Sequence, residues 1–201
     1  CPIPTAILSN HTEFPVYFFD DYTEKMTTYT DKWKELGLSF DAIATGFLGS
    51  EAQIGIVMEI VQKLKAEKTF VVVDPVMGDH GHAYETYTPE MCEQMKELVC
   101  MADVVLPNVT ECCILTDTPY REENWTRKEL LNMAMMLRLM GAKSVVITGV
   151  REGSCYTNVV LEQGQYDAKF IRTRSSGGER PGTGDVFSSV VAGNVYRPET
   201  P

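Results

Sequence analysis

Apolar residues recur along the chain with two periods, and the switch between them lays out the elements. Thr69-Phe70-Val71-Val72-Val73 is an unbroken apolar, β-branched run. Runs of that kind are strands buried on both faces, as in a parallel sheet. Val104-Val105-Leu106 and Ser144-Val145-Val146-Ile147 repeat it, and Phe40 to Thr45 is a further strand, ending at Gly46. Between these strands the period becomes helical. Ile54, Val57, Val61 and Leu64 share one helical face, opened by Ser50-Glu51-Ala52-Gln53, which has the capping-box spacing. Thr88-Pro89-Glu90 opens the next helix with proline at its favoured first position. Thr126-Arg127-Lys128-Glu129 is a second capping box, and Leu130, Ala134, Leu137 and Leu139 to Met140 carry that helix to Gly141.

The flanks read less regularly. Ala6 to Leu8 and Val16 to Phe19 are short extended pieces, and a helix covers Thr23 to Leu36 and ends at Gly37. Two hairpin-like strands fall near Ser154–Leu161 and Gln165–Ile171. Strands alternating with helices predict an α/β fold: a three-layer α/β/α domain over residues 1–201 with a mostly parallel central sheet. Ligands of such sheets bind beyond the carboxyl ends of the strands. Here those ends carry Asp74, Asp79, Asn108, Glu111, Thr148 and Gly149. The most irregular stretches, Gly78–Tyr87 and Arg172–Arg180, are candidate flaps over a ligand.

Composition narrows the function. With 44% apolar residues, 201 residues can bury a core. A net charge of −10 argues against a nucleic-acid partner, which wants a basic face. A polyanionic substrate would need a local positive element or a metal ion to approach this surface. No apolar run reaches membrane-spanning length. Six cysteines without Cys-x-x-Cys spacing read as buried thiols of a reducing cytoplasm. Cys1-Pro2-Ile3-Pro4 reads as a segment already under way, and Arg197-Pro198 follows soon after the last helix begins, so both ends of a longer protein are expected to be missing.

The chemistry gathers at Gly182-Thr183-Gly184-Asp185, followed by an apolar run that can be helical. Glycines let a backbone turn sharply and bring its N–H groups near a ligand. A helix starting there aims unsatisfied N–H groups and its positive dipole end at the same spot, a recipe for binding phosphate. Asp185, in the first turn, is well placed to take a proton from an attacking hydroxyl. The bland alternative is a tight turn with an acidic first turn. An anion pocket, a base and several separate carboxylates suit phosphoryl transfer, whose catalysis is mostly positioning and charge neutralisation. Asp79, Asn108 and Glu111 can hold Mg²⁺ directly or through water. Ser9-Asn10-His11-Thr12 can fix a small polar ligand, although the same residues are favoured in turns. His80-Gly81-His82 lacks an obvious third metal ligand and reads as part of a polar flap.

Gly182-Thr183-Gly184-Asp185, Asp74-Pro75-Val76-Met77-Gly78-Asp79 and Asn108-x-x-Glu111 together resemble the three ordered motifs of the ribokinase superfamily. Ser9-Asn10-His11-Thr12 and Gly46-Phe47-Leu48-Gly49-Ser50 are similar to its pyridoxal/pyridoxamine kinase branch. The resemblance implies ATP-dependent phosphorylation of the 5′-hydroxymethyl of pyridoxal, pyridoxamine or pyridoxine. A hydroxymethylpyrimidine or sugar kinase, or an inactive truncated relative, is the alternative. It implies Asp185 as base and Gly182, Thr183 and Gly184 as anion hole. Asp74, Asn108, Glu111, Thr148 and Gly149 would serve ATP, with Asp79 and Glu111 on Mg²⁺. Ser9, His11 and Thr12 would face the pyridine ring. A monovalent cation is a further candidate cofactor, and a homodimer the implied assembly. The family's first strand has no counterpart here, and Leu8 stands where many relatives carry an aromatic residue.

Overall fold

The computed structural model describes residues 1–10, 14–176 and 182–194. In chain order the elements are β1 (Ala6–Leu8), β2 (Phe19–Asp21), α1 (Thr23–Glu35), β3 (Ala42–Thr45), α2 (Glu51–Leu64), β4 (Phe70–Val73), β5 (Gly78–Asp79) and β6 (His82–Ala83). Then come α3 (Pro89–Cys100), β7 (Val104–Val105), α4 (Val109–Leu115), α5 (Arg127–Met140), β8 (Ser144–Glu152), β9 (Cys155–Leu161), β10 (Lys169–Arg174) and α6 (Thr183–Asn194). The central sheet runs β10-β9-β8-β7-β4-β3. Its four core strands, β3, β4, β7 and β8, are parallel, while β9 and β10 continue it as an antiparallel ribbon.

Strand alternation divides the valine runs between two hydrophobic layers. Val71, Val73, Val105, Val145 and Ile147 pack under α2 to α5 in the main core. Val72, Val104, Leu106 and Val146 point to the other face, where Phe187, Val191 and Ala192 of α6 meet them. Helices therefore cover both faces, as the apolar runs demand. At the amino ends of the strands, buried Asp103 accepts the Val71 N–H at 2.7 Å and the Lys143 ammonium at 2.6 Å, which ties β4 to the start of β8.

The helix signals meet their expected structures. Ser50, Thr88 and Thr126 are N-caps, the Thr126–Glu129 box is reciprocal, and Gly37 and Gly141 end their helices at positive φ. Several readings need correction. Gln53 does not complete a capping box. Its amide is fully buried and donates to the Thr5 carbonyl at 2.8 Å and the Thr23 hydroxyl at 3.0 Å, while its oxygen accepts the Gly49 N–H at 2.8 Å. The extended piece at 16–19 becomes strand only at Phe19, where pairing with Leu8 begins. β10 lies three to four residues beyond its expected position, because its partner register is set by β9. β8 runs past Thr148 to Glu152 through an irregularity between Ile147 and Val150. Leu139 is solvent-exposed rather than core. The cysteines are free thiols, but Cys1 and Cys100 are exposed and only Cys112 and Cys113 fully buried. Of the two stretches read as flaps, 78–87 carries the β5–β6 hairpin, and 172–180 begins in β10 and lies outside the described residues from 177 on.

Candidate active site

The carboxyl end of the parallel sheet is where the polar residues converge. β4 ends at Asp74, whose carboxyl is buried. Burial, and next to it the charge of Asp185, push its pKa up to about 6, against a hydrogen bond from Ser188 that favours the ionised form. Asp74 and Asp185, 111 positions apart in the chain, thus sit within electrostatic reach. Ser188 is the physical link between them. Its hydroxyl lies 3.1 Å from the Asp185 carbonyl and also within reach of the Asp74 carboxylate, and its single proton serves one acceptor at a time.

The glycine turn behaves as its sequence requires. Gly182 adopts φ +81, a conformation costly for any residue with a Cβ. Its carbonyl accepts the Val186 N–H at 3.1 Å, which starts α6. A Cβ at Gly182 would lie 3.7 Å from the Asp185 carboxylate, so turn and acid share one corner. The first amides of α6 have no acceptor inside the helix. They and Asp185 are solvent-exposed.

α4 brings the second group. It is held open by a reciprocal capping box: the Glu111 N–H donates to Asn108 Oδ1 at 2.9 Å and the Asn108 N–H to Glu111 Oε2 at 2.7 Å. Glu111 Oε1 accepts the Met77 N–H at 3.1 Å, and Asn108 Nδ2 donates to the Gly78 carbonyl at 2.9 Å. Both Glu111 oxygens are therefore engaged by backbone. Complete burial drives the Glu111 pKa well up, reinforced by Asp74 and Asp79 and opposed by the two N–H bonds. Thr148 joins through a parallel bridge to Asn108, its N–H donating to the Pro107 carbonyl at 2.9 Å. Gly149, at φ +71, follows on the surface.

Asp79 lies on the β5–β6 hairpin with its side chain 57% exposed. Tyr84, just past the hairpin, reports how the acids are arranged. Burial, then the charges of Glu111, Asp79, Asp74 and Asp185, push its phenol up to about 12. One tyrosine thus senses four carboxylates from four separate segments. Among the described residues no group of three His, Cys, Asp or Glu side chains could enclose a metal. The acids instead form an open cluster whose mutual repulsion a cation would relieve. That suits Mg²⁺, which takes one or two carboxylates and completes its shell with water and phosphate oxygens. Clefts of 370 Å³ beside Trp125, Arg151 and Arg172, and of 220 Å³ beside Lys65, Lys68 and Lys143, involve none of these residues.

Ser9 stands apart from this cluster in the bonds it makes. It belongs to the β1–β2 hairpin, where its hydroxyl accepts the Phe18 N–H at 2.9 Å. His11 and Thr12 lie outside the described residues. Two site residues escaped the sequence reading, Ser188 and Tyr84. Ser188 had a usable signal, since three residues after Asp185 on a helix is the same face. Tyr84 had none, because the hairpin that places it is read only from the fold.

A model of the phosphomethylpyrimidine kinase family matches residues 31–201. A Caenorhabditis elegans protein designated a pyridoxal kinase is 31% identical over 164 residues, which are 76% of this chain and 48% of that protein. The hydroxymethylpyrimidine/phosphomethylpyrimidine kinase of Aquifex aeolicus is 32% identical over 152 residues, 75% of this chain and 58% of its own length. A Bacteroides thetaiotaomicron structure, designated a phosphomethylpyrimidine kinase and solved with pyridoxal, superposes with TM-score 0.91 at 36% identity. That match covers 100% of this chain and 71% of the other. This chain spans about half the length of the two curated relatives.

Proposed function

Because the chain belongs to the phosphomethylpyrimidine kinase family, we propose that its site transfers the γ-phosphoryl group of ATP to a hydroxymethyl group on a vitamin B6 ring. The observation that carries this reading is the meeting of Asp185, at the glycine turn, with buried Asp74 at the end of β4. The carboxylate of Asp185 takes the proton of the 5′-hydroxymethyl. The oxygen so freed bonds to the γ-phosphorus as the bond to ADP breaks. The backbone at Gly182, Thr183 and Gly184 faces the negative charge that develops on the transferred group, which is where oriented N–H groups contribute most. Asp74, Asn108, Glu111, Thr148 and Gly149 line the nucleotide side.

Mg²⁺, when bound, neutralises charge between the phosphates. Asp79 would help to hold it. Glu111, with both oxygens occupied by backbone N–H groups, would take part only in its outer shell. Ser9, His11 and Thr12 are assigned to the pyridine ring by their likeness to the kinase branch. A homodimer and a cytoplasmic setting belong to the same reading; the free thiols support the setting. Among the described residues no helix is long and apolar enough to cross a membrane. A hydroxymethylpyrimidine is the second candidate acceptor, since the matching family and the Aquifex relative are named for it.

ADP release in the presence of Mg²⁺ with pyridoxal, pyridoxamine, pyridoxine, hydroxymethylpyrimidine and a sugar tests the assignment. Release is expected with at least one of the three B6 alcohols and at a much lower rate with the others. Release with hydroxymethylpyrimidine alone, or with none, would overturn it.

A further inference from the structure

The β5–β6 hairpin is two residues long on each strand, too short to hold itself in water. Its base is tied by Asn108 and Glu111, which the nucleotide side of the site already uses. Its tip is tied by two residues with no other assignment. The Gly81 N–H donates to Thr110 Oγ1 at 2.9 Å, and Thr110 is 3% exposed. The Tyr120 ring packs tightly against Gly81: a Cβ there would stand 2.4 Å from ring carbon Cδ1. The Tyr120 phenol also interacts with the Thr110 side chain. The tip needs such closeness because its turn places His80 at φ +49 and Gly81 at φ +83. Asp79 immediately precedes that turn, and its Oδ1 accepts the His80 N–H at 2.8 Å.

We propose that Thr110 and Tyr120 form a latch on the tip of this hairpin, and that they are positioning residues for the Asp79 carboxylate. The latch itself stands on the contacts above. Its consequence for the metal rests on the reading of Asp79 as a magnesium ligand. One hydroxyl and one ring fix the turn, the turn fixes the aspartate, and the aspartate meets the cation that arrives with the nucleotide.

Hydrogen exchange of residues 78–84, without nucleotide, reads the latch directly. Thr110→Val keeps the shape and removes the acceptor; Tyr120→Phe keeps the ring and removes the hydroxyl; Thr110→Ser restores the acceptor. Exchange in 78–84 is expected to rise at least about tenfold in Thr110→Val, less in Tyr120→Phe, and to return toward the parent in Thr110→Ser, with α5 and β8 unchanged. Half-saturating Mg²⁺ for ATP turnover should rise about tenfold in Thr110→Val, with kcat at saturating Mg²⁺ within about threefold of the parent. A uniform drop in kcat at every Mg²⁺ concentration would mark a merely structural role and overturn the positioning claim. Unchanged exchange in both the Val and Phe variants would overturn the latch. A parent chain that releases no ADP defeats the proposed function, while the exchange result still decides the latch.

Discussion

Asp74 shows what a buried acid costs a fold. A buried carboxyl whose pKa is raised from 3.8 to about 6 prefers to be protonated in the folded state. Its contribution to stability is therefore fully present below about pH 3.8 and is lost as the pH rises through about 6, by at most about 3 kcal/mol. Asp74→Asn should accordingly melt higher than the parent at pH 8, with the difference shrinking toward pH 4. Thermal unfolding at the two pH values checks this. A variant that melts lower at pH 8 would show that the Asp74 carboxylate is compensated in the free protein. The same titration should appear in kcat/KM as an ascending limb near pH 6, shifted downward by Mg²⁺, because a cation favours the ionised acid. Asp185 follows the opposite design. It lies exposed in the first turn of α6.

Among the elements, the β1–β2 hairpin depends on one side chain from α2. Gln53 joins the chain before β1, the start of α1 and the loop after β3 through its single amide. Removing it leaves the part-buried Gly49 N–H without its acceptor, at a cost of about 1–3 kcal/mol, and takes one of two donors from the Thr5 carbonyl, which keeps the Tyr22 N–H at 3.1 Å. Gln53→Ala should lose about 2–4 kcal/mol in urea unfolding and loosen the hairpin that carries Ser9. A loss below about 0.5 kcal/mol would show that the hairpin is held by other means. The sequence signal here was misleading in an instructive way. Ser-x-x-Gln fits a capping box, and Ser50 does cap α2, with the Gln53 N–H on its hydroxyl at 3.3 Å. The glutamine side chain found buried partners that only the tertiary fold supplies. Asn108-x-x-Glu111 is the reverse case. Read for nucleotide chemistry, it is also a reciprocal cap, and the cap is what aims both side chains at the Met77–Gly78 backbone.

At the scale of the molecule, the parallel core was legible because β-branched runs buried on both faces leave few alternatives. The split of Val71 and Val73 from Val72 across the sheet is the direct consequence of alternation. The hairpins were not legible, since β5, β6 and the register of β10 are set by partners distant in space rather than by local pattern. The candidate site was legible as a list of acids at strand ends and a glycine turn. What the sequence could not supply was the joinery that the hairpin creates: Tyr84 among four acids, and Thr110 against the tip at Gly81.

The proposed phosphoryl transfer depends on Asp185 acting as the base at the point where these segments meet. The most direct test is the turnover of Asp185→Asn with pyridoxal and Mg·ATP, measured beside the binding of both substrates. We predict a fall in kcat of at least about a hundredfold with binding and melting temperature retained. A variant that turns over at the parent rate would contradict the assignment of the base and, with it, the mechanism built on this corner of the fold.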